Sequence, residues 1–380
     1  MAHLNLLRRL ASLDPLRRLA SLDPLRRLAS LDPLRRLAQW RQHHRVLPIL
    51  GDLRTRRERE AELARWDIKV LASELARQHY AAGLAGPDAP VPPGPVAVGL
   101  GSRTCRQDDI QHDWLRHWCH ALHMAPTYHR KSWEDCFLLQ ALWEAGLLAP
   151  GRRALGFAVG REALPAFLAA QGVAVLATDL DPRDPRARDW IRSGQHGEAK
   201  ARLFHPDLIG QAAFDRLVEF RPADMMRIPP ELQDGGFDMV WSACAMEHLG
   251  TLDRGLDFVL AAMRCLKPGG LAVHTTEYNL DQAGGTIGQG TTVLYQRRHL
   301  DALAARLAAA GHTMLSLDDA QGSGMLDRYV DLPPFAPGPG QDASPLGALD
   351  PSHLRLSVRG YPATSAGIVI RAAGAGDTLR

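Results

Sequence analysis

The sequence predicts an α/β fold, doubly wound around a mostly parallel sheet with helices on both faces. Two observations support this prediction. From Arg152 onward, short apolar strand patterns alternate with helical patterns, which is typical of parallel strands joined by crossover helices. In addition, residues 154–182 combine a strand, a glycine-bearing turn, a helix and a second strand that ends in an acid. Ligands of such sheets bind beyond the carboxyl ends of the strands.

Each element is predicted from its apolar pattern and from the turn residues beside it. Before the sheet, helices are expected at 46–80, 106–124 and 131–146, where apolar residues return at three- and four-residue steps. The strands are expected at 153–159, 173–178, 217–221, 237–242, 271–276, 312–317 and 366–371. The helices between them are expected at 162–171, 252–265 and 298–310.

The chain is expected to divide into five parts. Residues 1–45 carry a repeat that we expect to be poorly ordered, and residues 46–81 form a helical segment. Residues 82–97 are too rich in proline and glycine for a regular element and are predicted to be a linker. The aromatic-rich residues 98–150 are expected to form a helical cap that precedes the sheet. Residues 151–380 hold the sheet itself.

An internal repeat occupies the N-terminus. The nonapeptide LRRLASLDP starts at Leu7, Leu16 and Leu25, and a shortened copy starts at Leu34. Leucine at every third position drifts by about 60° per step around an α-helix, so it does not form a straight apolar stripe. We therefore favour a tandem duplication tolerated at a terminus. A weak contact of this basic segment with a membrane surface or a partner is the alternative.

Composition limits the classes of protein to which the chain can belong. Its apolar fraction of 46% can support a large core, and it contains no run of about 18 apolar residues that would predict a membrane span. No signal peptide pattern opens it. The net charge of +3 does not predict a nucleic-acid partner. The 5 cysteines are scattered without a CxxC pair, so we expect a reduced, cytoplasmic protein without a structural metal.

The turn after the first strand has the chemistry of a nucleotide site. Gly156 and Gly160 let the backbone approach a ligand where a Cβ would collide. The helix that begins near Glu162 directs its free N–H groups toward that ligand. About 20 residues further on, Asp179 ends the second strand, where a carboxylate can accept the hydroxyls of a ribose.

Two downstream segments, with this turn, carry a family resemblance. FDMVWSACAMEHLG (237–250) and CLKPGGLAVHTTEY (265–278) resemble the fourth and fifth strands of class I S-adenosylmethionine-dependent methyltransferases. The resemblance covers roughly residues 98–380 and is closest over 152–278. It also extends to bacterial methyltransferases found among sugar and polysaccharide genes. It implies a Rossmann-like, seven-stranded sheet and S-adenosylmethionine as the cofactor.

The resemblance also implies which residues contact the cofactor. The turn would lie under its methionine and ribose parts, Asp179 would accept the ribose hydroxyls, and Asp224 would bind the adenine amino group with Met225 against the ring. Two positions depart from the family pattern, because Ala154 and Ala158 stand where an acid and a glycine are usual. Glu162 is a candidate replacement for the missing acid. The predicted cofactor residues are Gly156, Phe157, Ala158, Gly160, Glu162, Asp179, Asp224, Met225 and Ser242.

Polar residues near the ends of the fourth and fifth strands are candidates for catalysis. If the methyl acceptor is a hydroxyl, a general base helps by removing its proton. His248, with an imidazole suited to that role, and the neighbouring Glu247 are the predicted catalytic residues. The predicted substrate-contacting residues are His274, Glu277, Tyr278 and Arg103.

Each of these candidates has a structural alternative. His248 can be a hydrogen-bonding residue at a helix start, and His274 can be a neutral histidine of the core. Arg103 can belong to a surface ion pair. No set of histidine, cysteine and acidic residues has metal-ligand spacing, so no metal site is predicted from the sequence.

The sequence therefore predicts a methyltransferase that acts on a hydroxyl of a small molecule or glycan precursor. Ala154 and Ala158 leave open a protein that binds S-adenosylmethionine without catalysis. An NAD-dependent oxidoreductase would explain the glycine turn and Asp179, but it would not explain the Lys267-Pro-Gly-Gly270 turn.

Overall fold

A computed structural model describes residues 33–79, 92–333, 335 and 352–374 of the chain. The chain separates into two compact units, Met1–Asp67 and Ile68–Arg380. The described part of the first unit belongs to one helix, which starts at Pro33, the final residue of the third full copy of the repeat. Proline suits a first helical position because its missing N–H would have no partner there. The first two copies of the repeat, the rest of the third and most of the predicted linker lie outside the described residues.

Strands and helices alternate through the second unit as the sequence predicts. Within the described residues, the strands are β1 (Ser102–Thr104), β2 (Arg153–Gly156), β3 (Ala174–Asp179), β4 (Val218–Pro222), β5 (Phe237–Ser242), β6 (Leu266–Asn279), β7 (Thr313–Met314), β8 (Leu317–Asp318), β9 (Leu356–Val358) and β10 (Tyr361–Arg371). The α-helices are α1 (Pro33–His79), α2 (Gln107–Gln111), α3 (Asp113–Ala121), α4 (Arg130–Glu144), α5 (Leu164–Ala170), α6 (Arg188–Arg192), α7 (Gln211–Leu217), α8 (Leu252–Met263) and α9 (Arg297–Ala309). Four short 3₁₀ helices span Pro185–Ala187, Lys200–Leu203, Pro230–Leu232 and Met246–His248.

All of the described strands join one sheet. Five neighbouring strands run parallel in the order β4, β3, β2, β5 and β6. β10 pairs antiparallel with β6, and the short strands β1, β7 and β9 pair antiparallel with β10. β8 extends the sheet beyond β1. The carboxyl ends of the five parallel strands therefore meet at one edge of the sheet.

This architecture confirms the predicted Rossmann-like α/β fold. The sheet has ten strands among the described residues rather than the predicted seven, because it includes short segments of two or three residues. β1, β7 and β9 add to β10, and β8 adds to β1. The predicted strand at 312–317 is two such segments, β7 and β8. The segment 98–150 supplies β1 in addition to helices, so it is part of the sheet as well as a cap.

Helices cover both faces of the sheet. On one face, α3, α4 and α5 bury Trp114, Phe137 and Leu168 against the strands. On the other face, α8 and α9 bury Phe258 and Leu303. None of the helices in the described ranges is long and apolar enough to cross a bilayer.

The packing of α4 on β10 depends on a glycine. A Cβ at Gly367 would lie 2.2 Å from Cε1 of Phe137, a distance that real contacts do not reach. Gly367→Ala should therefore lower the free energy of unfolding by roughly 1–3 kcal/mol, as expected for overpacking a core. Urea unfolding of the purified chain measures this loss. Gly210→Ala is the matched control because a Cβ there meets nothing within 4 Å; equal losses in the two variants would contradict the prediction.

Candidate active site

The glycine turn follows β2 and is held by contacts on both sides. A Cβ at Gly156 would lie 2.3 Å from the indole ring of Trp241 on β5, so glycine is needed here for strand packing. Val159 N–H donates to the Thr178 carbonyl at 3.1 Å and ties the turn to β3. Gly160 and Ala158 both have positive φ, at 55° and 49°. Ala158 therefore adopts a backbone conformation that glycine tolerates better.

The carboxylate of Asp179 is the centre of a hydrogen-bond network of backbone groups. Its Oδ2 accepts from the N–H of Gly160 at 3.2 Å and from the N–H of Gly197 at 2.9 Å. Its Oδ1 accepts from the N–H of Leu180 at 2.8 Å. The side chain is buried. Asp179 thus lies beside the glycine turn, as predicted, and its oxygens are occupied by the protein's own N–H groups.

The segment Gln195–Gly197 lies against the carboxylate of Asp179, the residue predicted to bind the ribose. A Cβ at Gly160 would lie 2.5 Å from the Gln195 carbonyl oxygen, so this segment packs directly on the turn. His196 is buried, with Nε2 at 2.8 Å from the Leu180 carbonyl oxygen and Nδ1 accepting from the N–H of Glu198 at 2.8 Å. A ribose that reaches Oδ2 of Asp179 has to replace the N–H of Gly197. This segment has no periodic apolar pattern in the sequence that would have predicted its position.

Two other predicted cofactor residues, Phe157 and Glu162, contact protein groups close to the turn. Phe157 is fully buried and packs edge-to-face on Phe258 of α8, at 5.3 Å between ring centroids. Glu162 Oε2 accepts from the indole N–H of Trp241 at 3.2 Å. Burial and the nearby Asp135 carboxylate raise the pKa of Glu162 well above its usual range. Glu162 is therefore a hydrogen-bond acceptor near the turn, at the place where a replacement for the missing acid was predicted.

Asp224 and Met225 follow β4 and line a cavity of about 510 Å³ together with Arg186 and Phe258. Asp224 Oδ1 accepts from the N–H of Met226 at 3.0 Å, and its Oδ2 accepts from Arg186 Nη2 at 2.9 Å. The residues predicted for adenine therefore lie together beside a cavity. An adenine amino group there would share Asp224 with Arg186.

The structure separates the predicted substrate residues onto different faces. His274 is fully buried on β6; its Nδ1 lies 2.8 Å from Ser242 Oγ, and its ring packs on Phe258. Tyr278 donates its hydroxyl to Asp319 at 3.0 Å, and Arg103 pairs with Asp109 at 2.8 Å. The contacts of His274 match its structural alternative, a histidine of the core. Arg103 forms an ion pair, but with the buried carboxylate of Asp109 rather than at the surface. Glu277, by contrast, faces α4.

A buried ionic cluster joins α4 to the ends of three strands. Arg130 Nη2 lies 2.6 Å from Glu277 Oε1 on β6, and Arg130 Nη1 lies 3.2 Å from Glu134 Oε1 and 3.1 Å from Ser365 Oγ on β10. Cys244, two residues beyond β5, donates its thiol to Glu134 Oε1 at 3.0 Å. Arg130, Glu134, Glu277, Ser365 and Cys244 are all buried. Burial alone would lower the pKa of Arg130, but the carboxylates around it, Glu277 first, raise it.

The sequence prediction included Glu277 but missed the other members of this cluster. One local signal was available, because Arg130, Lys131 and Glu134 recur at helical spacing in a segment otherwise rich in apolar residues. A charged side chain on the buried side of a helix needs an ion-pair or hydrogen-bond partner, because burial removes it from water. The partners themselves are far away in the sequence: Ser365 is 235 residues from Arg130.

Glu247 and His248 lie beside this cluster, in the short helix after β5. Glu247 is fully buried; its Oε2 accepts from the hydroxyl of Thr276 at 3.0 Å, and burial raises its pKa. His248 Nδ1 lies 2.8 Å from the Thr291 carbonyl oxygen, which makes Nδ1 the protonated nitrogen and leaves Nε2 as an acceptor. That Nε2 is 3.9 Å from Glu247 Oε1. The two predicted catalytic residues are thus adjacent in space as well as in sequence.

The fold and the turn at the strand ends define a nucleotide-type cofactor site in a Rossmann-like sheet. Residues 155–274 match a family model described as a methyltransferase domain. This stretch runs from β2 to β6 and contains the glycine turn, Asp179 and Glu247. The stretch is a methyltransferase domain, which agrees with the class I S-adenosylmethionine-dependent methyltransferases that the resemblance implied.

Comparison with solved structures finds methyltransferases of low overall similarity. Magnesium protoporphyrin IX methyltransferase from Synechocystis, with bound S-adenosylhomocysteine, is 12% identical over 69% of this chain and 89% of its own, with a TM-score of 0.38. Phosphoethanolamine N-methyltransferase 2 from Haemonchus contortus, in complex with S-adenosylmethionine, is 20% identical over 44% of this chain, with a TM-score of 0.31. The chain spans only 35% of the Haemonchus protein. No curated protein sequence matches the chain.

The burial of His274 predicts a pH dependence of stability. Burial lowers its pKa to about 3, whereas an unfolded histidine titrates near 6.5. As the pH falls from 7 to 5, the unfolded chain binds a proton that the folded chain does not, so folding is weakened by about 2 kcal/mol. When the pH falls from 7 to 5, the free energy of unfolding of His274→Asn should fall by about 2 kcal/mol less than that of the unsubstituted chain. Urea unfolding at the two pH values measures both changes. Equal losses would mean that His274 is not held neutral in the core.

Proposed function

We propose that this chain transfers the methyl group of S-adenosylmethionine to a hydroxyl of a small molecule or glycan precursor. The observation that carries the proposal is the methyltransferase domain at 155–274, whose glycine turn and Asp179 lie side by side at the strand ends. This match favours methyl transfer over the oxidoreductase alternative. The five cysteines are unpaired and buried, which supports a reducing compartment such as the cytoplasm.

Asp179 is the proposed ribose contact, supported by its position beside Gly160. A ribose hydroxyl would donate to Oδ2 in place of the N–H of Gly197, which now lies at 2.9 Å. One hydrogen bond would thus replace another and add little free energy, so the net gain comes from the second ribose hydroxyl, which adds a hydrogen bond to the charged group. Met225 and the cavity beside it are the proposed place of the adenine.

The transfer itself is an in-line displacement. The bond between the methyl carbon and sulfur breaks as the carbon forms a bond to the acceptor oxygen, and the hydroxyl proton leaves for a base. We assign that base to His248, because its Nε2 is free to accept while Nδ1 is held by Thr291. Glu247 supplies a neighbouring carboxylate 3.9 Å away. The sulfonium is then left as a neutral thioether, S-adenosylhomocysteine.

If Asp179 binds the ribose, removal of its carboxylate should weaken cofactor binding. Asp179→Ala should weaken S-adenosylhomocysteine binding by roughly 1–3 kcal/mol, the value of a hydrogen bond to a charged group. Isothermal titration calorimetry measures the change, and thermal unfolding checks that the variant stays folded. Asp181→Ala is the matched control: it lies two residues on and forms only an exposed pair with Arg183. Unchanged affinity for S-adenosylhomocysteine in the folded Asp179→Ala variant would show that Asp179 does not bind the cofactor.

The acceptor class predicts the product of the reaction. Incubated with S-adenosylmethionine carrying a ¹³C-labelled methyl group and a metabolite extract, the chain should yield a labelled methoxy carbon in the NMR spectrum. His248→Gln should abolish this label while binding S-adenosylhomocysteine as before, because His248 contacts the acceptor rather than the cofactor. A labelled N-methyl or C-methyl carbon would overturn the hydroxyl acceptor. No labelled product at all, despite cofactor binding, would favour the non-catalytic alternative.

A further inference from the structure

Three possible metal ligands converge at the carboxyl ends of β5 and β6. The thiol of Cys244 and carboxylate oxygens of Glu247 and Glu277 all lie within 4.8 Å of one another. All three side chains are buried, with Glu247 at 0% and Glu277 at 6% exposure. They come from the segment after β5 and from β6, so the parallel pairing of these two strands brings them together.

Two oxygens of this group lack a hydrogen-bond partner among the described residues. They are Glu247 Oε1 and Glu277 Oε2, while the second oxygen of each carboxylate is bound by Thr276 and by Arg130. An acceptor buried without a partner costs about 1–3 kcal/mol, and more when it is charged. A bound cation or a hydrogen-bond donor would remove this cost for the two oxygens, which belong to side chains beside the Cys244 thiol. This observation is independent of the cofactor turn.

Carboxyl groups outnumber basic groups around these three side chains. Glu134, Glu247 and Glu277 lie close to only two cationic side chains, Arg130 and Lys131. The thiol of Cys244 donates to Glu134 Oε1 at 3.0 Å. A cation bound directly to Cys244 would replace that thiol proton, because a coordinating thiol is deprotonated.

We propose that Cys244 Sγ, Glu247 Oε1 and Glu277 Oε2 bind one divalent transition-metal ion of the zinc type. A thiolate with two carboxylates suits Zn²⁺ and excludes Mg²⁺ and Ca²⁺, which take oxygen ligands alone. In a tetrahedral site the ligand atoms are about 3.5 Å apart. The three side chains, whose possible ligand atoms lie within 4.8 Å of one another, therefore have to draw together to bind an ion. Three protein ligands leave a fourth position for water or another ligand. His248 Nε2 stays outside this set.

Cobalt substitution of the full chain tests the site without any assay of activity. The purified chain, stripped of metal by a chelator, should take up one equivalent of Co²⁺ and show the near-ultraviolet charge-transfer band of a cobalt–thiolate bond. Zn²⁺ should displace the cobalt and remove the band. Cys244→Ser should abolish the band, and Glu247→Gln should weaken cobalt binding at least tenfold. Cys265→Ser is the matched control, because Cys265 is a buried thiol outside this cluster, and it should keep the band.

Each outcome decides the proposal. Absence of the band in the folded chain, or a band that survives in Cys244→Ser, would overturn it. One equivalent of metal that neither Cys244→Ser nor Glu247→Gln affects would place the ion elsewhere and also overturn it. Calorimetry with S-adenosylhomocysteine on the same preparations separates the two proposals. Cofactor binding without cobalt binding rejects the metal site alone, and cobalt binding without cofactor binding rejects the proposed function alone.

Discussion

The parallel alignment of β4, β3, β2, β5 and β6 is the constraint on which the site depends. Because these strands point the same way, residues from separate stretches of the chain arrive at one edge of the sheet. Asp179 and Asp224 come from the ends of β3 and β4, and Cys244 and Glu277 come from β5 and β6. A sheet with mixed directions in its centre would scatter them. α4 closes this edge by placing Arg130 over β6 and β10.

Two kinds of buried charge occupy this edge, and they are satisfied differently. Three backbone N–H groups stabilise the carboxylate of Asp179, and the imidazole of His196 lies 3.7 Å from its Oδ1. The acids beside α4 depend on Arg130 and still retain unpartnered oxygens at Glu247 and Glu277. The first arrangement suits a ligand that donates hydroxyls, because one donor can replace another. The second suits a cation, because no protein donor reaches those oxygens among the described residues.

The parts of the fold that depend on local pattern were predictable from the sequence. The strand at Phe237–Ser242 has the predicted bounds, and Asp179 lies beside Gly160 because a strand, a turn and a helix fix that spacing. Contacts between distant segments were not predictable. The N–H of Gly197 reaches Asp179 from a segment without periodic pattern, and Cys244 meets Glu134 across 110 residues. Nothing local distinguishes a cysteine with such a partner from a core thiol.

We propose that S-adenosylmethionine binds at the glycine turn with its ribose on Asp179, and a crystal structure of the chain grown with S-adenosylhomocysteine would test this. We expect ribose hydroxyls within hydrogen-bond distance of the Asp179 carboxylate and an N–H of Gly197 that no longer donates to Oδ2. A structure in which the ligand binds elsewhere, while Gly197 still donates to Asp179 at 2.9 Å, would contradict it.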